Sequence, residues 1–100
     1  MMQDGVWNGQ DILSKGWVKA CTKPCALNPQ YGLLWWLNTE RGMFPGASEN
    51  SFFAIGVGTQ FIWVDPDLDL VVVARWIEND AISDFMALVT QACQTGAARE

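Results

Sequence analysis

The stretch from Ser51 to Val73 limits the fold more than any other part of the chain. Aromatic, branched and other apolar residues fill most of its positions, broken by Gly56-Val57-Gly58 and by Asp65-Pro66-Asp67. Such residues favour extended backbone. Successive side chains on a strand point to opposite faces, so a run that is apolar at consecutive positions is apolar on both. Ser51 to Val64 therefore reads as one long strand interrupted at Gly56-Val57-Gly58, where glycine marks a bulge or a close approach to the backbone. Asp65-Pro66-Asp67 makes a turn. Leu68 to Ile77, centred on Val71, Val72 and Val73, is then a strand antiparallel to its predecessor. Tyr31 to Asn38 is a further strand of the same two-faced kind. Its Trp35 and Trp36 are adjacent, so they face opposite ways, which suits packing on two sides better than a flat sugar-binding platform.

The flanks read as helix and loop. Trp7-Asn8-Gly9-Gln10 is a turn signal, and the residues before it fit the last turn of a helix. Ile12, Leu13, Trp17, Val18 and Ala20 give a short helical pattern with Ser14 as N-cap, and Lys19 and Lys23 near its C-terminal end suit the helix dipole. Pro24 and Pro29 make residues 22–30 a loop, and Gly42, Pro45, Gly46, Ser48 and Asn50 do the same for residues 39–50. Asn79-Asp80 caps a final helix whose stripe is Ile82, Phe85, Met86, Val89, Ala92 and Cys93, with Gly96 as its stop and residues 97–100 as a frayed tail. The expected fold is α+β: an antiparallel three-stranded sheet with a C-terminal helix packed on it. It forms one unit over 1–100, divided into a helix-and-loop segment (1–30), three strands (31–77) and the helix (79–96). One helix covers one face of a sheet. Strands apolar on both faces imply that further elements cover the other, so the chain is expected to be part of a larger domain.

Composition excludes several functions. The chain has 100 residues, half of them hydrophobic, with six Trp and five Phe, so disorder is not expected. The net charge is −5 and the six basic residues are scattered, which argues against nucleic acid as a partner. Apolar runs reach only about five residues, as at Leu70 to Ala74, against the roughly 20 of a membrane span. Met1-Met2-Gln3-Asp4-Gly5 has neither the basic start nor the apolar stretch of a signal peptide, which leaves the compartment open. Cys21, Cys25 and Cys93 are an odd set. They fit ordinary thiols, or a Cys21–Cys25 disulfide, or a metal site that would still lack ligands.

The candidate chemistry is narrow. There is no histidine, hence no Ser-His-Asp triad. The residues three before Lys15, Lys19 and Lys23 are Ile12, Gly16 and Ala20, so there is no Ser-x-x-Lys. The only tyrosine, Tyr31, is followed by Gly32-Leu33, so there is no Tyr-x-Asn. Ser48-Glu49-Asn50 matches Ser-x-Asn, a pattern that arises often by chance in a polar loop. Asp65, Asp67 and Asp69, spaced by two, fit a solvated turn better than a calcium loop. No cofactor is expected. Glycines in a strand beside a cleft leave backbone N–H groups uncovered, and such donors stabilise an oxyanion if a nucleophile comes from elsewhere. The competing reading, a bulge that only shapes the sheet, is the one physics alone favours.

Three pieces in order shift that balance. Asp4-Gly5-Val6-Trp7-Asn8-Gly9-Gln10 with Ile12-Leu13 and Gly16-Trp17-Val18, then Tyr31-Gly32-Leu33-Leu34-Trp35-Trp36-Leu37-Asn38, then Gly56-x-Gly58-Thr59-Gln60 with Val64-Asp65-Pro66 and Asp69 to Val73, together resemble the C-terminal end of the serine β-lactamase-like family. That family includes class C β-lactamases, penicillin-binding DD-peptidases, related carboxylesterases and 6-aminohexanoate-dimer hydrolases; the likeness is greatest to the last two. The resemblance implies a C-terminal fragment of the β-lactamase-like fold, from a serine hydrolase acting on small-molecule amides, esters or lactams through an acyl-enzyme. The family's Ser-x-x-Lys and Tyr-x-Asn precede this region, so the partner implied is the N-terminal part of the same domain, and the 100-residue chain alone is not expected to be active. The family's Lys-Thr-Gly would fall on Gly56-Val57-Gly58, with only the last glycine retained, which argues against a strong β-lactamase. By the same resemblance the backbone N–H of Thr59 is an oxyanion donor, and Gly56, Val57, Gly58 and Gln60 border the substrate. A periplasmic or secreted location is compatible with it. The alternative is a non-catalytic, free-standing binding module.

Overall fold

The computed structural model describes residues 1–14 and 16–99. Its centre is a four-stranded antiparallel sheet in chain order: β3 (Trp36–Leu37), β4 (Phe52–Gly56), β5 (Gln60–Asp65) and β6 (Leu70–Ala74). A separate two-stranded hairpin, β1 (Val6–Trp7) and β2 (Gln10–Asp11), precedes a short helix α1 (Trp17–Cys21). The chain closes with a long helix α2 (Ile82–Arg99). The fold is thus α+β with a C-terminal helix, as expected, but the sheet has four strands rather than three.

The fourth strand comes from Ser51 to Val64, which is not one strand. Gly56 pairs with Gln60, and Phe52 with Val64, so β4 and β5 form a hairpin with Val57-Gly58-Thr59 as its loop. Gly58 and Thr59 both have positive φ, at 88° and 57°, as tight hairpin loops demand. The Gly-x-Gly is a reversal, not a bulge. Tyr31 to Asn38 also shortens. The chain doubles back at Gly32 to Trp35, with the Gly32 N–H donating to the Trp35 carbonyl at 2.8 Å and Leu34 at φ 67°. Only Trp36 and Leu37 join the sheet, and Tyr31 bridges back to Trp36.

The flanks differ from expectation in similar ways. Met1 to Gly5 form turns rather than the end of a helix. Asn8 and Gly9, both at positive φ, reverse the chain between β1 and β2, which is why that dipeptide signals a two-residue hairpin turn. α1 starts at Trp17 behind Gly16, without a side-chain cap, so Ile12, Leu13 and Ser14 lie outside it. Asn79 begins a 3₁₀ turn, Asn79–Ala81, ahead of α2, and its side chain is engaged elsewhere. Gly96 does not stop α2, which runs to Arg99. A mid-helix glycine costs only about 1 kcal/mol relative to alanine, and Ala97 and Ala98 follow it. The expected tail at 97–100 is therefore helical through Arg99, and Glu100 lies outside the described residues.

Alternation along the strands builds the core. Phe53, Phe61 and Trp63 point to one face, where Ile82 and Met86 of α2 and Ala47 of the connecting loop close over them. Phe85 and Val89, one turn apart on the same helix stripe, pack at the edge of this cluster. The loop backbone presses on α2 at Gly46, whose N–H donates to Ser83 Oγ at 2.9 Å. A Cβ at Gly46 would collide with the Ser83 carbonyl.

The opposite face is only half covered. Leu37, Phe52 and Val64 pack beneath Met1, Met2 and Trp35. Trp35 meets Phe52 edge-on at 5.1 Å, while Trp36 meets Tyr31 at 4.7 Å and packs on the α2-side core. The two tryptophans serve opposite faces, in packing roles. Beyond them, Ile62, Val71 and Val73 of this face are exposed, Val73 by 66%. No helix among the described residues is long and apolar enough to cross a membrane.

Candidate functional site

β5 ends in two different environments, and each holds residues that sequence reasoning singled out. At one end is the hairpin tip, Gly56 to Gln60. Val57 is 97% exposed at its apex. Gly58 lies under the Trp76 ring, and a Cβ there would run into that ring. Trp76 itself is exposed and sits at φ 58°, a conformation costly for a bulky residue. It follows β6 and folds the chain back over the tip.

Polar contacts fix the tip's backbone. The Thr59 hydroxyl donates to Asn79 Oδ1 at 3.0 Å, tying the loop to the start of the α2 region. Gln60 Nε2 donates to the Val57 carbonyl at 3.3 Å. Arg75 Nε donates to Gln60 Oε1 at 2.9 Å. Thus Gly56, Val57, Gly58, Thr59 and Gln60, taken together from the sequence, are together in space. Beside them the bare sheet face forms a shallow depression of about 390 Å³, lined by Ala54, Gly56, Gln60, Ile62, Val73 and Arg75. The sequence did not single out Trp76, Asn79 or Arg75 as neighbours of the tip. No short-range pattern joins them to it; they arrive through the β5–β6 pairing.

At the other end of β5 is a buried polar knot. Asn38 is fully buried, and its Nδ2 donates to the carbonyls of Phe44, Ala47 and Ser48 at 2.9–3.1 Å. Its Oδ1 accepts the Phe44 N–H at 2.8 Å. Trp63 Nε1 donates to Ser51 Oγ at 2.9 Å, Ser51 and Ser48 hydroxyls meet at 3.1 Å, and Ser48 Oγ donates to Asp65 Oδ1 at 3.0 Å. The Asp67 N–H donates to the same oxygen at 3.0 Å, the local bond that makes aspartate a turn residue. Asp65 Oδ2 is buried without a partner.

This knot explains two motifs. Ser48 and Asn50 of Ser48-Glu49-Asn50 fasten the 39–51 loop to the β5–β6 turn: Ser48 through Asp65, Asn50 by donating to the Asp67 carboxylate at 3.1 and 3.2 Å. The Asp65-Asp67-Asp69 series is a turn. Among the described residues no cluster of His, Cys, Asp or Glu is placed to hold a metal ion. Cys21, Cys25 and Cys93 are free thiols, so the Cys21–Cys25 disulfide is not formed. A larger hollow of about 520 Å³ lies at this end, bordered by Thr22, Thr39, Asn50 and Asp67.

No protein-family model and no curated protein matches this chain.

Proposed function

We propose that this chain forms the C-terminal wall of a serine hydrolase of the β-lactamase-like kind, acting on amide, ester or lactam bonds through an acyl-enzyme. The observation that carries the reading is the order of Tyr31-Gly32-x-x-Trp35-Trp36, Gly56-x-Gly58-Thr59-Gln60 and Val64-Asp65-Pro66 ahead of the β6 valines, pieces that end in or flank neighbouring strands of one sheet. The tip's geometry supports it. Gly58 carries no side chain, and Thr59 is held in a left-handed backbone by its bond to Asn79. The depression beside the tip includes the uncovered backbone of Gly56 in an otherwise largely apolar lining.

On this reading the nucleophilic serine comes from elements seated on the bare face, since the chain has no Ser-x-x-Lys of its own. The serine Oγ attacks the substrate carbonyl carbon and the carbonyl oxygen takes the electron pair. The Thr59 N–H donates to that oxyanion, with the nucleophile's own amide as second donor. Collapse expels the leaving group with the proton taken from the serine, and water then releases the acid. Preorganised donors of this kind contribute about 100- to 1000-fold in rate.

The test is hydrolysis of p-nitrophenyl acetate and nitrocefin by the 100-residue chain and by the chain extended with its upstream reading frame. Turnover only in the extended protein, with Ser-x-x-Lys and Tyr-x-Asn in the added sequence, is the expected result. Specific turnover by the short chain overturns the assignment of the nucleophile. Silence in both transfers the weight to a binding module.

A further inference from the structure

The N-terminal hairpin carries a pair of residues that the candidate site does not use. Asn8 and Gly9 are the two turn residues between β1 and β2, which pair Val6 with Asp11 and Trp7 with Gln10. Both sit at positive φ, 52° and 76°, and both are exposed. Nothing lies within 4 Å of the place where a Gly9 Cβ would stand. Neither the Asn8 side chain nor the Gly9 N–H takes part in a hydrogen bond among the described residues.

The chain's other asparagines are held. Asn38 is buried and bonded through both side-chain atoms. Asn79 Oδ1 accepts from Thr59. Asn50 donates to Asp67, and the N–H that follows it, that of Ser51, donates to the Ser48 carbonyl at 3.1 Å. Asn28 accepts the Gln30 N–H at 3.0 Å and is followed by Pro29, which has no N–H. Asn8 alone is followed by glycine. Asp4-Gly5 makes the contrast among acids: there Gly5 is buried, and a Cβ on it would collide with Leu13.

An asparagine side chain places an amide carbon one residue ahead of a backbone nitrogen, close enough to form a five-membered ring. Glycine favours closure, because it has no Cβ to block the approach and its backbone rotates freely. The turn fixes that backbone, so the ring closes from the opened hairpin. Opening is easy here. β1 and β2 form a sheet of their own with two residues in each strand, and an isolated hairpin is marginally stable at best.

We propose that Asn8 is a site of spontaneous deamidation, which converts the turn to a mixture of aspartate and isoaspartate. The Gly9 nitrogen attacks Asn8 Cγ and the Cγ–Nδ2 bond breaks. The side-chain nitrogen leaves as ammonia, carrying the proton lost by Gly9. Water then opens the succinimide. Cleavage of the new Cγ–N bond gives aspartate, and cleavage of the original peptide bond to Gly9 gives isoaspartate. No oxidation or reduction takes place. Aspartate before glycine still suits a two-residue hairpin turn. Isoaspartate routes the main chain through Cβ and Cγ, adding an atom to a turn that two residues close, and so releases the Trp7–Gln10 register. The inference is independent of the hydrolase reading, because it uses no residue of the hairpin tip at Gly56 to Gln60.

The experiment ages the full 100-residue chain in warm neutral buffer, as wild type, Asn8→Asp and Gly9→Ala, and maps it by trypsin and fragmentation mass spectrometry. Cleavage after Lys15 leaves Asn8 as the only asparagine in peptide 1–15. The amide-to-acid mass gain at position 8 is expected to accumulate at least about tenfold faster than at any other asparagine, and to be slowed at least about tenfold by Gly9→Ala, which sets a Cβ beside the attacking nitrogen. Enzymatic carboxyl methylation should detect isoaspartate in the aged wild type and not in fresh Asn8→Asp. Hydrogen exchange of the Val6–Asp11 amides should quicken in the isoaspartate fraction and stay at the wild-type rate in Asn8→Asp. A mass gain at Asn8 no faster than at Asn28 or Asn50 overturns the proposal. So does a Gly9→Ala rate equal to the wild type's, or a gain in peptide 1–15 that Asn8→Asp retains, which would place it on Gln3 or Gln10. Unchanged exchange in the isoaspartate fraction overturns the loss of register.

Discussion

The knot and the tip sit at opposite ends of β5 and are built on opposite terms. At the knot, Asn38, Ser48, Ser51, Trp63 and Asp65 bury polar atoms and join all but one of them to partners. At the tip, Gly58, Thr59 and Trp76 hold positive φ in the open, and Val57 touches almost nothing. Buried polar networks fix a unique arrangement and fail sharply when broken. Strained, exposed backbone contributes little to folding and is retained where geometry serves a site. The comparison assigns the buried polar network to one end of β5; on the proposed function, the chemistry lies at the other.

Substitutions at the two ends should separate on that line. Asn38→Ala strips three buried or part-buried carbonyls and one N–H of their partner and is expected to cost about 3 kcal/mol in urea unfolding. A loss below ~1 kcal/mol would mean that water or a relaxed loop satisfies those groups. Gly58→Ala places a Cβ at φ 88° against the Trp76 ring and is expected to cost about 1–2 kcal/mol. Its Trp76→Ala background should recover part of this by freeing the space, and equal losses in both backgrounds would assign the cost to backbone alone. Val57→Ser, at the exposed apex, should change stability by less than about 0.5 kcal/mol. A larger effect would place Val57 in a contact the fold does not show.

Much of the covered face is legible in the sequence. Trp35 and Trp36 could only point opposite ways, and Asp65-Pro66-Asp67 could only turn. The stripe Ile82, Phe85, Met86, Val89 identified the packed side of α2. The hairpin at Val57-Gly58-Thr59 is hidden in the sequence because Phe52 to Gly56 and Gln60 to Asp65 share one apolar composition. A Gly-bearing break between two such runs signals a short hairpin loop as well as a bulge. Leu34 escaped because an apolar residue at positive φ leaves no trace in residue type. Asn38 reads in the sequence as the end of a strand. Its four partners are backbone groups of a loop, which no spacing rule encodes. Of the candidate site, the five tip residues are consecutive in the sequence and so are legible there. Trp76, Asn79 and Arg75 are not, because antiparallel pairing, not sequence proximity, brings them there.

The division between the two ends is tested most directly by the pre-steady-state burst of p-nitrophenolate from p-nitrophenyl acetate in the upstream-extended protein, with and without Gly58→Val. The substitution drives a side chain into the Trp76 ring, one residue before Thr59, while leaving the knot untouched. The expected result is an acylation burst slowed at least about tenfold in protein that circular dichroism shows to be folded, with the unfolding midpoint lowered by more than Gly58→Ala lowers it, since a β-branched residue at φ 88° meets the same ring. An unchanged burst in a protein that still turns over the ester would remove Gly56 to Gln60 from the active site and contradict it.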